Sequence, residues 1–252
     1  MVSGVNFGKR SVMVQNRRLY SSIAQPPFHM QDAKAFFERG LERHVARDWR
    51  AAEAAYRRAL ELAPGRPSLL FNLGRLMLDL RRDGEAESFF SKVVASSPPD
   101  VEALGGLGES LARQGRHADA LQCHARALAI APDTSQMQAN FARCAAYAHL
   151  RPDRLDLDLL EPALRVCLES DAVDHQSLAA VVSAVLQAKH PATRGLMEDG
   201  LVLLGLAKVI VANARDEELL TALRRGLLLS GVPEQAEAFA CALACQCFLN
   251  EY

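Results

Sequence analysis

Shifted against itself by 34 residues, the chain places small residues on small residues and prolines on prolines. Gly40, Gly74 and Gly108 coincide, as do Ala52, Ala86 and Ala120. Ala59, Val93 and Ala127 form a third set, and Pro64, Pro98 and Pro132 a fourth. A large or aromatic position reads Tyr56, Phe90 and His124, and the intervening turns read RDW, RDG and GRH. Such a period means a duplicated helical hairpin, each copy burying a face against the next. The small residue on the first helix (Gly74) is expected to face the small residue on the second (Ala86), with Leu70 and Phe90 filling the space around them. A proline after the second helix forbids its continuation and turns the chain into the next unit. The units run 33–66, 67–100 and 101–134. Residues 136–150, QMQANFARCAAYAHL, read as a fourth first-helix with no matching second helix before Arg151-Pro152-Asp153 breaks the pattern.

Ala and Leu dominate a chain that is 50% hydrophobic and only 6% aromatic, which favours helix throughout. A net charge of −1 with interspersed signs provides no electrostatic footprint for nucleic acid. The longest uncharged apolar runs, about 10 residues, are half of what a bilayer span needs, so no membrane partner is expected. The six cysteines, Cys123, Cys144, Cys167, Cys241, Cys245 and Cys247, fall inside predicted helices and read as buried thiols of an intracellular protein. Cys247 lies about 200° round a helix from Cys245, so the last three cannot converge on one metal ion. Residues 1–30 carry Lys9, Arg10, Arg17 and Arg18 and no acidic residue. They read either as a transit peptide, with RRLYSS resembling a mitochondrial processing site, or as an extension upstream of a start at Met30. The expected location is cytoplasmic, or the mitochondrial matrix if residues 1–20 are a transit peptide.

The small residues and proline of residues 33–134 match the pattern of the tetratricopeptide repeat, which this stretch resembles in three copies. The resemblance implies an all-α fold, a right-handed superhelix of three repeats plus a fourth A helix, with a concave groove lined by the A helices. It also implies a protein or peptide partner contacted from fixed A-helix positions. Here those positions supply Phe37, Leu41 and His44 from the first repeat, and Phe71, Asn72, Arg75 and Asp79 from the second. The third supplies Glu102, Glu109 and Arg113, and the fourth helix Asn140, Arg143 and Tyr147. Asn72 and Asn140 could bond a peptide backbone. The Lys/Asn clamp that some relatives close on a terminal carboxylate is incomplete, because Phe37 and Leu41 stand at its first-repeat positions. Phe37 and Phe71 are expected to face the concavity rather than the hairpin core. His124, at the aromatic position, is expected to be a core histidine.

Residues 151–252 stay helical without the period and read as a non-repeat α-helical domain. Asp158 with Glu161 suggests a capping box, with Pro162 in the first turn of a helix to about 169. A helix over 173–189 is expected to be capped near Asp174 and stopped by His190-Pro191. Residues 197–214 are apolar on nearly all sides, and two further helices follow in DEELLTALRRGLLLS and PEQAEAFACALACQCFLNEY. The strings ELLTALRRGLLL (218–229) and CQCFLNEY (245–252) resemble the helical region upstream of the catalytic domain in bacterial tetratricopeptide-repeat methyltransferases dependent on S-adenosylmethionine. In that family a Rossmann-like domain follows. Residues 1–252 contain no strand, glycine-rich loop and helix in series, and Gly105-Gly106-Leu107-Gly108 lies inside a repeat helix. The leading expectation is a non-enzymatic scaffold with no catalytic, cofactor-binding or metal site. The alternative is the substrate-recruiting part of a truncated or split methyltransferase whose catalytic domain is separately encoded.

Overall fold

The computed structural model describes residues 28–96, 100–190 and 199–210, together with isolated helical positions between 217 and 244. All regular structure among the described residues is helical. In order these are α1 (Phe28–Val45), α2 (Trp49–Leu62), α3 (Pro67–Asp79), α4 (Asp83–Ser96), α5 (Val101–Arg113), α6 (His117–Ile130) and α7 (Ser135–Ala145). After a short 3-10 turn at Pro152–Arg154 come α8 (Leu157–Glu169), a second 3-10 turn at His175–Leu178, α9 (Ala179–Lys189) and α10 (Gly200–Lys208). The chain divides into two compact units within α3, between Leu76 and Met77.

The turns inside the three hairpins are built alike. Arg47, Arg81 and Gly115, spaced by the 34-residue period, each take a positive φ, at 57°, 60° and 78°. The next residue donates its N–H five positions back, Asp48 to the Arg43 carbonyl, Arg82 to Met77 and Arg116 to Leu111. This is the Schellman closure of a helix C-terminus. It places the second turn in register at Arg81-Arg82, one residue before the RDG string.

In the first unit, α1 and α2 form a hairpin around Tyr56, Ala52 and Ala59, all fully buried. The atoms nearest to where a Gly40 Cβ would stand belong to the Tyr56 ring, one helical turn beyond Ala52. The second unit repeats the arrangement, with the His124 imidazole against Gly108. In these two hairpins the glycine accommodates the ring at position i+4 of the facing helix, which shares a face with the alanine.

Helix α5 takes this furthest. A Cβ on Gly106 would stand 2.5 Å from the Phe90 ring of α4, one on Gly108 2.6 Å from His124 of α6, and one on Gly105 2.8 Å from the Met137 methyl of α7. Successive residues of a helix point about 100° apart, so the three glycines admit three neighbours from three directions. Overpacking a tight core costs roughly 1–3 kcal/mol, whereas alanine gains about 1 kcal/mol over glycine in helix propensity. Gly106→Ala and Gly108→Ala are therefore expected to lower the urea midpoint clearly. Gly105→Ala, which meets only the movable end of a methionine, is expected to be nearly neutral.

One hydrophobic cluster runs from α5 through Leu121, Leu128 and Phe141 into Leu164, Leu168, Val185 and Leu206. The segment after residue 150 thus shares its core with the third repeat and α7. Helix α8 packs on α6, and α10 packs on α8. Details differ from the sequence expectation. Helix α7 ends at Ala145 rather than 150. Asp156, not Asp158, caps α8, accepting from the Leu159 N–H at 3.2 Å, which leaves Pro162 inside the helix rather than in its first turn. Asp174 caps the 3-10 turn preceding α9, and α9 ends before His190 as expected. Within 197–214 the described helix is Gly200–Lys208, and the two last predicted helices lie mostly outside the described residues.

Asp199 ties this region together. Its side chain caps α10 through the Leu201 and Val202 N–H groups, and its Oδ2 accepts from Lys189 Nζ at 2.6 Å and lies 3.0 Å from His190 Nε2. Burial opposes the charge, but these hydrogen bonds outweigh it and hold the carboxyl down at about 2. Lys189 also reaches Glu161 of α8 at 3.0 Å.

His124 is the exception in an apolar setting. It is fully buried, and neither ring nitrogen has a hydrogen-bond partner among the described residues. Burial, helped by the Arg143 charge, lowers its pKa to about 4. The unfolded chain therefore takes up a proton near pH 6.5 that the native state refuses until about pH 4. Stability is expected to fall across that window as the solution is acidified, by on the order of 3 kcal/mol. His124→Phe, which places here the ring type found at Phe90, should remove that slope and raise the thermal midpoint at pH 5.

Candidate functional site

Within the second unit, α5 and α7 border an open cleft of about 360 Å³. Glu109, Ala112 and Arg113 of α5 line one wall, and Arg143, Cys144 and Tyr147 line the other, with His117 of α6 between them. Glu109 and Arg113 are four residues apart and so share a face of α5, while Arg143 stands on the last turn of α7 and Tyr147 in the turn that follows it. The Tyr147 ring is 64% exposed and lies 5.4 Å from the His117 ring at 37°. Cys144 is buried, and burial pushes its thiol up to about 11, leaving it an unreactive wall. Burial does the same for Cys123 (about 11) and Cys167 (about 12); Cys241 is exposed, which corrects the expectation of burial, and Cys245 and Cys247 lie outside the described residues.

The two arginines differ in what holds them. Arg113 donates to the Leu78 carbonyl at 2.7 Å and to Glu109 at 2.5 Å, and lies 3.6 Å from Asp83. It thus joins the start of the second hairpin's B helix to α5. Arg143 donates to Asn140 Oδ1 at 2.9 Å, and no carboxylate among the described residues pairs with it. Asn140 is buried, and the same oxygen also accepts from Gln136, so its side chain serves α7 itself.

In the first unit, the anticipated groove residues divide similarly. Leu41 is 37% exposed, and Arg75 is exposed on α3. Phe37 is half-buried with its ring 5.9 Å from that of Tyr56, and His44 lies 6.0 Å from Tyr56 and 5.5 Å edge-on to Trp49. The expectation that Phe37 stands clear of the hairpin core is corrected, since α1 turns this face toward α2. Phe71 and Asn72 are half-buried, and Asn72 donates to the Ser68 carbonyl one turn back at 2.8 Å. Asp79 and Glu102, in the second unit, are exposed. The structure thus gathers Glu109, Arg113, Arg143 and Tyr147 into one cleft.

Sequence reading by A-helix positions missed His117, which enters from the first turn of a B helix. It also missed a second cleft of about 490 Å³ beyond the repeats, between Ala148–Leu150 and α9, where Gln176, Ser183 and Gln187 supply polar groups. Phe37→Ala is expected to destabilise by about 1–3 kcal/mol, less than the 3–5 of a fully buried phenylalanine. Tyr147→Ala should stay within about 0.5 kcal/mol of wild type. Denaturant titration of the two variants checks both.

Residues 37–101 match a tetratricopeptide-repeat family model, and residues 84–144 match a second. No curated protein matches the sequence. Among solved structures the chain is similar to YrrB, described as a TPR protein with an unusual peptide-binding site. The identity is 18% over 70% of this chain and 84% of that one, with a TM-score of 0.49. It is similar also to the MamA protein, at 15% identity over 78% and 91% with a TM-score of 0.46. PilF of Pseudomonas aeruginosa aligns at 19% identity over 84% and 98%, with a TM-score of 0.44. No described helix is long and apolar enough to cross a membrane.

Proposed function

We propose that this chain, whose residues 37–144 carry tetratricopeptide repeats, is a non-enzymatic scaffold that holds an extended segment of a partner protein. The observation that carries the reading is the α5–α7 cleft, where Arg143 on the last turn of α7 and Tyr147 just after it present a cation and a ring while their neighbours secure the framework. An exposed aromatic beside an arginine is the composition of an interface anchor rather than of a solvated surface. Leu41 and Arg75 of the first unit are proposed as further contact residues on the same grounds of exposure.

Affinity capture with the full chain, compared with a Tyr147→Ala/Arg143→Ala double variant, tests the reading. The double variant is expected to fold normally and to lose the specifically captured protein. Equal capture by both would remove the cleft from the binding surface. The alternative, a recruiting part of a methyltransferase system, rests on strings that lie mostly outside the described residues, and no observation in the described residues favours it. Calorimetric titration with S-adenosylmethionine separates the two, saturable binding at micromolar affinity being the outcome that overturns the scaffold.

A further inference from the structure

We propose that the α5–α7 cleft selects an acidic segment, in which one internal Asp or Glu side chain meets Arg143 and the residue two positions along, an apolar one, lies on Tyr147. This rests on the scaffold reading and assigns its partner a chemistry. Among the cleft's charged groups, Glu109 is neutralised by Arg113, whose remaining contacts are the Leu78 carbonyl and Asp83. Among the described residues Arg143 has a neutral amide as its partner and no carboxylate, so its guanidinium faces the cleft unpaired, with the His117 ring beside Tyr147. A basic segment would set cation against cation, and a neutral one would desolvate the guanidinium without repayment. A carboxylate gains a charge-assisted hydrogen bond there.

The spacing supports an internal residue. Arg143 stands on the last turn of α7 and Tyr147 in the turn that follows, both lining the one cleft, and same-side residues of an extended chain are about 7 Å apart. An acid-x-apolar pattern therefore addresses both at once. A chain terminus is not required, because Arg113 is already occupied and the described residues of the cleft offer no second unpaired cation to grip a terminal carboxylate.

Four nine-residue fluorescent peptides test this against the full chain by anisotropy in low salt. Three are acetylated and amidated, with Glu-Gln-Leu, Gln-Gln-Leu or Lys-Gln-Leu at the centre of a Gln/Ala background. The fourth is the neutral peptide with a free C-terminal carboxylate. The Glu peptide is expected to bind tightest, by about fivefold over the Gln peptide, the upper range of an exposed ion pair. Arg143→Glu should shift preference to the Lys peptide, Arg143→Lys should retain preference for Glu, and Tyr147→Ala should weaken the Glu and Gln peptides alike. Circular dichroism of each variant establishes that it folds. Equal binding of the amidated peptides, an unchanged preference in Arg143→Glu, or tightest binding of the free-carboxylate peptide overturns the inference while leaving peptide binding in place. Failure of all four to bind overturns the scaffold reading of this cleft together with the inference.

Discussion

Gly105, Gly106 and Gly108 leave α5 without side chains in three directions, and Met137, Phe90 and His124 enter where Cβ atoms would otherwise stand. Helices α4, α6 and α7 each meet α5 at one of these contacts. Rings and a methionine that reach the backbone of the facing helix allow closer approach than side chain against side chain. The same device appears in the first unit at Gly40 and Tyr56. The repeat is thus held by a void in one helix filled by a large residue from the next, with alanines such as Ala52 and Ala120 keeping the rest of the face thin.

The spacing fixed at Met137 has a consequence one turn further along. Past the glycines, α5 carries Glu109 and Arg113, α7 carries Arg143 and the turn after it Tyr147, and these larger side chains line the cleft. The cleft opens where the small residues end. Arg113 then closes its own wall by reaching Leu78 and Asp83 across the preceding hairpin, and Arg116 does so on the outside through Glu87 at 2.7 Å. Bonds between the second and third repeats are therefore carried by Arg113, Gln114 and Arg116 around one turn, while the chemistry left for a ligand stands at the end of α7 and just beyond it.

The hairpins were legible because their constraint repeats: the glycine, the alanine, the ring and the turn recur at a fixed interval, and three copies of a weak signal make a strong one. The turn shows how far this goes, since the left-handed position recurs at Arg47, Arg81 and Gly115 although only one of the three is glycine. Beyond residue 134 there is one copy of everything. The cap at Asp156 instead of Asp158 and the end of α7 at Ala145 are set by tertiary packing, because two nearby aspartates are equally good caps locally. Phe37 was misread for a related reason. A-helix position alone does not reveal that Tyr56 is large enough to reach past Gly40 and meet it.

The difference between the two cleft arginines lies at the edge of what a sequence can show. Both stand at groove positions of A helices, and both look like candidates for a partner's carboxylate. Arg113 has Glu109 one turn before it, and a glutamate four residues N-terminal to a basic residue is the favourable orientation for an intrahelical pair. Arg143 has Ala139 at that place and Asn140 beside it, so its helix offers a hydrogen bond but no charge. Local sequence therefore sorts the framework cation from the available one. What it cannot supply is the second half of the assignment: that Leu78 and Asp83 complete the coordination of Arg113, while no described residue from any neighbouring helix brings a carboxylate to Arg143. Which cation the cleft leaves unpaired emerges only when both are known, and it is this pairing, not the presence of arginine in a groove, that sets Arg143 apart.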